Sequence, residues 1–240
     1  MMKIKVVSTA QEINATMTHG QTVVVVDVLR ATSVIVTALA NGAVAVWPVL
    51  SVEEAFAKHK TFPPSNALLG GERGGVIIPG FHHGNSPFSY SRETVFGKNI
   101  VLSTTNGTRA IRNSNGADGL FLLAMLNLPY AATKLKEIEN LMIVCSGTNN
   151  RFSADDALCA GMLIVELEKY TQIETDDLGL VLRNFALQAG SPAEKLSSCY
   201  HLNYLKSIGY QNDINYCLQI GTHNILPRLQ TDGSVMIWKD

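Results

Sequence analysis

Short apolar, β-branched runs alternate with stretches of helical periodicity along the first two-thirds of the chain. Runs of this length predict strands, and they lie at Lys3–Ser8, Thr22–Leu29, Ala43–Val49, Asn66–Gly71, Ile100–Thr104, Leu120–Met125 and Leu141–Ser146. The nearly continuous apolar character of Thr22–Leu29 is typical of a strand that is covered on both faces. Strands that alternate with helices predict crossover connections and a mainly parallel sheet.

The C-terminal third changes character, because helical periodicity dominates it. The predicted helices are Ala31–Asn41, Ser51–Lys60, Ala154–Tyr170, Thr175–Gln188, Pro192–Ile208, Asn212–Ile220, a short helix before Gly20 and two that begin near Thr108 and Pro129. Two last apolar segments, Ile225–Gln230 and Ser234–Trp238, predict a closing hairpin that makes the sheet mixed. We therefore expect an α/β fold with a mainly parallel, mixed sheet and a helix-rich C-terminal third.

Two segments of the chain have a similar sequence pattern, in which a polar turn leads into a helix that ends at Asn-Gly. Leu29–Thr32 leads into a helix that ends at Asn41-Gly42, and Thr105–Arg109 leads into one that ends at Asn115-Gly116. This similarity is compatible with a single domain, 1–240, that contains two related half-sheets. The alternative is that Asn-Gly is simply a common helix stop.

Composition excludes several classes of protein. With 19 Lys+Arg and 20 Asp+Glu among 240 residues, the net charge is −1, whereas a general nucleic-acid binder carries a basic excess. The apolar runs are shorter than the ~20 residues that span a bilayer, and the N-terminus lacks a signal-peptide pattern. The four cysteines show no C-x-x-C spacing that would indicate zinc or a disulfide framework. The sequence thus predicts a cytoplasmic protein without nucleic-acid or membrane partners.

Arginines follow four of the predicted strands, at Arg30, Arg73, Arg109 and Arg151. Ligands of α/β sheets bind outside the carboxyl ends of the strands, and the guanidinium fork grips phosphate, sulfonate or carboxylate in a bidentate manner. Small polar residues accompany these arginines and are predicted to bind the same ligand, with backbone N–H groups at helix N-termini: Thr32, Ser33, Thr105, Asn106, Gly107, Thr108, Ser146 and Gly147. The implied ligand is a small polyanion, although any one of these arginines could instead form a surface ion pair.

Carboxylates lie in or beside the same turns, at Asp27, Glu72, Asp155 and Asp156. Isolated carboxylates suit Mg²⁺, which keeps several waters and shares its coordination shell with phosphate. For Asp155 and Asp156 the alternative is that they complement the dipole of a helix capped by Ser153. Asp27 is harder to explain structurally, because it interrupts an apolar strand where an unpaired charge is costly.

The glycine-rich segment Gly70–Tyr90 is predicted to be a loop folded over the site, with Asn85 and Ser86 pointing inward. The alternative is a surface excursion with glycine turns. A different motif, from Cys145 to Arg151, matches the C-x₅-R pattern of cysteine-dependent phosphatases. Its cysteine follows a valine rather than an activating histidine, and a buried cysteine at a strand end is the commoner state.

At these residues the sequence resembles the 2-phosphosulfolactate phosphatase family of coenzyme M biosynthesis. The matching segments are Asp27-Val-Leu-Arg-Ala-Thr-Ser33, Gly71-Glu-Arg-Gly-Gly75, Gly84-Asn-Ser-Pro87, Thr104-Thr-Asn-Gly-Thr-Arg109 and Cys145-Ser-Gly147 leading into Asp155-Asp156. The resemblance implies a three-layer α/β/α fold and Mg²⁺-dependent hydrolysis of (2R)-phospho-3-sulfolactate to 3-sulfolactate and phosphate. That substrate carries a phosphate, a sulfonate and a carboxylate, which agrees with the small anionic ligand that the arginines indicate.

The resulting hypothesis is a Mg²⁺-assisted phosphatase. Arg30 and Arg109 would hold phosphoryl oxygens, Arg73 and Arg151 the sulfonate or carboxylate, and Asp27 would act as general base or as nucleophile. The predicted metal ligands come from Asp27, Glu72, Asp155 and Asp156. Two alternatives stay open: a cysteine-dependent phosphatase that uses Cys145, and a non-catalytic sensor of an anionic metabolite. Apolar residues on the C-terminal helices suit a homo-oligomer interface as well as a core.

Overall fold

The computed structural model of the protein describes residues 1–239. Within them the chain forms eleven strands, numbered in chain order: β1 (Met2–Val7), β2 (Thr22–Val26), β3 (Ala45–Pro48), β4 (Ala67–Arg73), β5 (Val76–Ile77), β6 (Asn99–Ser103), β7 (Gly119–Leu123), β8 (Asn140–Cys145), β9 (Ile173–Thr175), β10 (Pro227–Leu229) and β11 (Val235–Ile237). They make one sheet in the order β5-β4-β6-β3-β11-β10-β7-β2-β8-β1-β9. The predicted α/β fold with a mixed, mainly parallel sheet is confirmed.

The same residues form eleven α-helices: α1 (Ala15–Thr18), α2 (Ala31–Ala40), α3 (Val52–His59), α4 (Arg92–Val95), α5 (Gly107–Asn113), α6 (Leu128–Leu135), α7 (Ala154–Leu167), α8 (Asp177–Leu187), α9 (Pro192–Lys195), α10 (Tyr200–Ser207) and α11 (Gln211–Cys217). Short 3₁₀ turns cover Ala10–Glu12, Pro87–Tyr90 and Met125–Asn127. No helix in residues 1–239 has both the length and the apolar character to cross a membrane.

Helices pack on both faces of the sheet and make it the middle of three layers. Along β2, Val24 and Val26 belong to the core beneath α6, α7 and α8, whereas Val23 and Val25 belong to the core beneath α2 and α5. All four valines are fully buried. A strand that is covered on both faces needs apolar residues at every position, so the continuous apolar run of β2 is explained by its central place in the sheet.

The hairpin β10–β11 lies inside the sheet and divides it into two parallel halves. Strands β4, β6 and β3 are mutually parallel, and so are β7, β2, β8, β1 and β9. The three antiparallel steps from β3 through β11 and β10 to β7 reverse the direction between the halves. Neighbouring strands are also rotated by roughly 20–25° by the twist of the sheet. This rotation accumulates over the strands between the halves and helps to bring their carboxyl-terminal turns together despite the reversal. That the two halves share an internal repeat stays a prediction.

Several predicted boundaries are wrong for identifiable reasons. Strand β2 ends at Val26, so Asp27 follows the strand rather than interrupting it. The predicted helix Pro192–Ile208 is two helices, α9 and α10, because the backbone from Leu196 to Cys199 leaves helical geometry. The edge strand β9 occupies the first residue of another predicted helix, since its backbone pairs with β1. The predicted hairpin is confirmed and makes the sheet mixed, and it lies between the two halves.

Helices α7 and α8 approach each other closely at Gly161. A Cβ atom at this position would lie 2.0 Å from the carbonyl oxygen of Leu182. We therefore expect Gly161→Ala to lower the free energy of unfolding by about 1–3 kcal/mol through overpacking, measured by equilibrium urea unfolding. The control is Glu166→Ala on the same helix, which removes a partly exposed pair with Lys169 and should change stability by less than ~1 kcal/mol. Equal stability of the two variants would contradict the close packing.

Candidate active site

A cavity of about 210 Å³ lies where the carboxyl-terminal turns of β2, β4, β6 and β8 meet α10. Its walls combine hydroxyl, amide, carboxylate and guanidinium groups with a few apolar side chains. The lining residues are Asp27, Leu29, Arg30, Glu72, Gly74, Gly75, Asn85, Thr104, Thr105, Asn106, Thr148, Asn149, Tyr200, His201, Tyr204 and Leu205. Both halves of the sheet contribute, so the cavity exists only in the complete fold.

Asp27 is the first residue after β2, and its carboxylate is held in place by the turn that follows. The N–H of Ala31 donates to Oδ1 at 2.9 Å, and the hydroxyl of Thr32 bonds both the backbone N–H and the backbone carbonyl of Asp27. Gly107 opens α5 beside it, and a Cβ there would lie 2.5 Å from Oδ2. Oδ2 has no hydrogen-bond partner within residues 1–239, so one carboxylate oxygen is oriented and the other is available to a ligand.

The charge state of Asp27 is set by its surroundings. Burial is the largest influence and, together with the negative charges of Asp155 and Glu72, it raises the pKa of Asp27 to about 6. The N–H of Ala31 and the charge of His201 act in the opposite direction. Like charges around a buried carboxylate favour a bound cation or a proton at this point of the cavity.

Glu72, at the end of β4, joins the turns after β4 and β6. Its Oε1 accepts a hydrogen bond from the N–H of Thr105, and its Oε2 accepts one from the N–H of Gly75, both at 2.8 Å. The hydroxyl of Thr105 also donates to Oε2. The carboxylate therefore orders the backbone of two turns that face the cavity.

Arg30 is the buried cation of the site, with 2% of its surface exposed. Its Nη1 donates to Oδ2 of Asp213 at 2.6 Å, and its guanidinium lies 3.9 Å from the centre of the Tyr210 ring. The hydroxyl of Ser86 donates to the other oxygen of Asp213. Because a guanidinium carries five N–H donors, this arrangement fixes Arg30 and leaves donors for an anion in the cavity.

His201 on α10 and Asp155 in the first turn of α7 form a second pair beside the cavity. The Nδ1 atom of His201 lies 3.5 Å from Oδ2 of Asp155, whose Oδ1 accepts a hydrogen bond from the hydroxyl of Ser153. Burial opposes charge on both groups. The contact with Asp155 outweighs it and raises the pKa of His201, while His201 and Ser153 lower the pKa of Asp155. The pair therefore favours imidazolium beside carboxylate.

Asp156 lies next in α7, but it does not line the cavity. Its two oxygens accept hydrogen bonds from the N–H groups of Val28 and Gly147, both at 2.9 Å. Burial, followed by the charges of Asp155 and Asp27, raises the pKa of Asp156 well above its ordinary value. The side chain therefore links the turn after β2 to the turn after β8.

The remaining small polar residues that the sequence singled out support the turns. Ser33 donates to the carbonyl of Val28, and Thr108 exchanges hydrogen bonds with Thr104. Ser146 is buried, and its hydroxyl has no partner among residues 1–239. Of the predicted site residues, the structure brings six to the cavity wall: Asp27, Arg30, Glu72, Asn85, Thr105 and Asn106.

The other three arginines lie outside this cavity. Arg73 and Arg109 line a neighbouring cavity of about 370 Å³, which shares Thr104 and Thr105 with the main one. Arg151 is exposed and lines a third, of about 790 Å³, that shares His201 with the main one. The predicted contacts of these arginines with a substrate stay predictions. Arg30 alone among the four is placed at the main cavity.

Sequence reasoning missed the contribution of α10 and α11. Tyr200, His201 and Tyr204 line the cavity, and Asp213 holds Arg30. These side chains lie on amphipathic helices far along the chain from their partners, and no motif marks them. The sequence did contain one signal, which is the charged residue Asp213 beside the apolar residues Ile214 and Cys217 in a predicted helix. In the structure all three side chains are buried.

Two carboxylates that face the cavity fit a hard cation. Within residues 1–239 no group of three or more His, Cys, Asp or Glu side chains is arranged to hold a metal ion. Mg²⁺, however, is commonly bound through one or two carboxylates, with waters and substrate phosphate completing its shell. The free Oδ2 of Asp27 matches this requirement, and the charge of Glu72 at the same cavity adds to the attraction for a cation. Both oxygens of Glu72, both of Asp156 and Oδ1 of Asp155 already accept hydrogen bonds.

Cys145 does not have the properties of an activated nucleophile. Its side chain is buried, and burial together with the charge of Asp156 raises the pKa of the thiol well above its ordinary value. A reactive cysteine requires a stabilised, accessible thiolate. The other three cysteines are also free and buried.

The family model and the relatives that match this chain carry the same family name. The family model for 2-phosphosulpholactate phosphatase matches residues 7–232. A probable 2-phosphosulfolactate phosphatase from Symbiobacterium thermophilum is 44% identical over 221 residues, which cover 91% of this chain and 94% of the relative. The corresponding protein of Clostridium perfringens (strain SM101 / Type A) is 43% identical, covering 90% of this chain and 89% of its own. That of Clostridium novyi is 40% identical, covering 94% and 96%.

Fold, cavity chemistry and relatives together define an enzyme of the phosphoric monoester hydrolase class. The matched region contains nearly the whole chain, including every strand that lines the cavity. The chain belongs to the 2-phosphosulfolactate phosphatase family, and the resemblance stated from the sequence is confirmed. Membership of a hydrolase family argues against the non-catalytic sensor.

The ion pair between Arg30 and Asp213 should be important for stability. Removing one partner of a buried pair leaves an uncompensated charge, so we expect Asp213→Ala to lower the free energy of unfolding by about 3–5 kcal/mol. The matched control is Glu168→Ala, which breaks a partly exposed pair with Arg183 and should cost less than ~1 kcal/mol. Equilibrium urea unfolding followed by circular dichroism measures both. Similar losses in the two variants would contradict the role of Asp213.

Proposed function

We propose that this protein hydrolyses 2-phospho-3-sulfolactate to 3-sulfolactate and phosphate with the help of Mg²⁺. The observation that carries the proposal is that the buried Arg30 and the carboxylate of Asp27 line the same cavity. A volume of about 210 Å³ suits a small ester. The relatives' names supply the substrate, and the anion-binding chemistry of the cavity supports it.

The phosphoryl group would be held by the free donors of Arg30 and by the side chains of Thr105 and Asn106. Glu72 fixes the backbone beneath Thr105 and so maintains the position of these donors. Arg109 is proposed to add a further contact to the phosphoryl oxygens. Arg73 and Arg151 are proposed to take the sulfonate and the carboxylate from the neighbouring cavities.

Asp27 is proposed to accept the proton of the water that attacks phosphorus. Oδ1 is oriented by the N–H of Ala31, which leaves Oδ2 to hold the water or the metal. Asp27 and Glu72 would hold Mg²⁺, which would supply positive charge against the phosphoryl oxygens. The Asp27 carboxylate is thus proposed to serve as general base and as metal ligand, and both roles need an oriented, partly desolvated oxygen.

A place in coenzyme M biosynthesis and a cytoplasmic location complete the proposal. The four buried, unpaired cysteines suit a reducing compartment. The pathway rests on the resemblance to the family.

The decisive experiment measures phosphate release from 2-phosphosulfolactate with Mg²⁺ and with excess EDTA. We expect release that requires the metal, and a decrease in kcat of at least ~100-fold in Asp27→Asn, as for the loss of a general base. Asp118→Asn, which removes an exposed carboxylate, is the control and should keep full activity. Full activity of Asp27→Asn, or release that is unchanged by EDTA, would overturn the assignment.

The alternative cysteine mechanism makes an opposite prediction. Because the thiol of Cys145 is buried and its pKa is raised, we expect Cys145→Ala to retain phosphate release within a few-fold of the wild type. Phosphate release and near-ultraviolet circular dichroism are measured on the same preparation. Lost activity in a variant with native dichroism would favour Cys145 as nucleophile.

A further inference from the structure

His201 occupies a position that neither the motifs nor the family resemblance marks. Its ring lines the cavity together with Asp27, Arg30 and Thr105, although the residue belongs to α10 in the C-terminal third. The side chain is 14% exposed. It is therefore a titratable group at the wall of the active-site cavity to which the mechanism above gives no role.

The two ring nitrogens of His201 have different surroundings. Nδ1 is inaccessible to solvent, has no hydrogen-bond partner within residues 1–239 and lies 3.5 Å from Oδ2 of Asp155. Because Nδ1 faces the protein and the ring lines the cavity, Nε2 is the nitrogen left to meet a ligand. A carboxylate beside one ring nitrogen orients the imidazole, so that the other nitrogen is presented to a substrate.

Asp155 is itself fixed. Its Oδ1 accepts a hydrogen bond from the hydroxyl of Ser153, at the N-terminus of α7. The charged groups that face His201 come from three elements: Asp155 from α7, Asp27 from the turn after β2, and Arg30 from the start of α2.

We propose that His201 is a catalytic residue that donates the proton of Nε2 to the leaving oxygen of the phosphate ester, and that Asp155 is its positioning residue. Water oxygen forms the new bond to phosphorus while the bond from phosphorus to the ester oxygen breaks. The electron pair of the broken bond stays on the ester oxygen, which takes the proton from His201. The proton of the attacking water passes to Asp27, and exchange with solvent restores both groups.

The proposal follows from the chemistry of the leaving group. The alcohol of an aliphatic ester leaves poorly as an alkoxide, so a positioned acid is expected to contribute about 10²–10⁴-fold to the rate. An aryl ester such as p-nitrophenyl phosphate releases a stable phenolate and gains little from the acid. The inference rests on the phosphoric monoester hydrolase class and takes its aliphatic ester, 2-phosphosulfolactate, from the proposed function.

The test compares His201→Gln with the wild type on 2-phosphosulfolactate and on p-nitrophenyl phosphate. We expect kcat on the aliphatic ester to fall about 100-fold or more, with KM changed less than about threefold, and kcat on the aryl ester to stay within about fivefold. The exposed His19→Gln is the matched control and should behave as the wild type. Equal losses on both esters, or no loss on the aliphatic one, would overturn the proposal.

A second measurement separates proton transfer from a structural role. His201→Ala leaves space at the cavity wall, so added imidazole should restore part of the lost activity on the aliphatic ester. The absence of rescue, in a variant with native circular dichroism, would also count against His201 as the proton donor. If the wild type does not hydrolyse p-nitrophenyl phosphate, the comparison of the two esters cannot be made, and the imidazole rescue then decides the role of His201.

The proposed function and this inference fail in different ways. A wild type that hydrolyses p-nitrophenyl phosphate but not 2-phosphosulfolactate overturns the substrate alone, and glycerol 2-phosphate then serves as the aliphatic ester. A wild type that hydrolyses none of these esters overturns both proposals. Normal hydrolysis of 2-phosphosulfolactate by His201→Gln overturns only the role of His201.

Discussion

Buried carboxylates that bind backbone N–H groups at the ends of parallel strands are the constraint on which this structure depends. Asp27 binds the N–H of Ala31, Glu72 binds those of Thr105 and Gly75, and Asp156 binds those of Val28 and Gly147. A backbone group that is buried without a partner is costly, and loops between parallel strands and helices leave several. The carboxylates satisfy these donors, but they concentrate negative charge where water is scarce, and the rest of the site offsets that charge.

The C-terminal helices complete this electrostatic arrangement. Helix α11 supplies Asp213 to hold Arg30, and α10 supplies His201 beside Asp155. Breaking either pair would leave a poorly solvated charge, so the cation of the site and its carboxylates stabilise one another across elements far apart in the chain. An anion that bound in the cavity would meet Arg30 in a fixed orientation, so binding would cost little reorganisation. The contacts that stabilise the fold thus also fix the buried cation of the cavity.

Patterns that are local in the sequence predicted the fold well, and contacts between distant residues explain what they missed. The strand within the apolar run Thr22–Leu29 and the helix predicted over Ser51–Lys60 follow from neighbours along the chain, and the structure contains both. Asp27, Arg30 and Glu72 could be predicted at the site because they lie at or just beyond the ends of strands. Asp213 and His201 could not, since their partners Arg30 and Asp155 lie far away in the chain. The sequence placed four arginines at strand ends, but it did not show which of them line the same cavity. Their grouping depends on the internal hairpin and on the twist of the sheet.

Close approach between the two halves explains why the site needs glycine as well as charge. At Gly107 any side chain would collide with Ala31 and with the carboxylate of Asp27, so α5 of one half can approach the turn after β2 of the other only without a Cβ atom. Asn106 then accepts a hydrogen bond from the N–H of Asn149, and Arg109 donates to Asn150, which joins the halves beside the cavity. Asp27 follows β2 of one half, whereas Thr105 and Asn106 follow β6 of the other, so the relative position of these cavity-lining residues depends on this contact. The geometry of the cavity is therefore coupled directly to completion of the sheet.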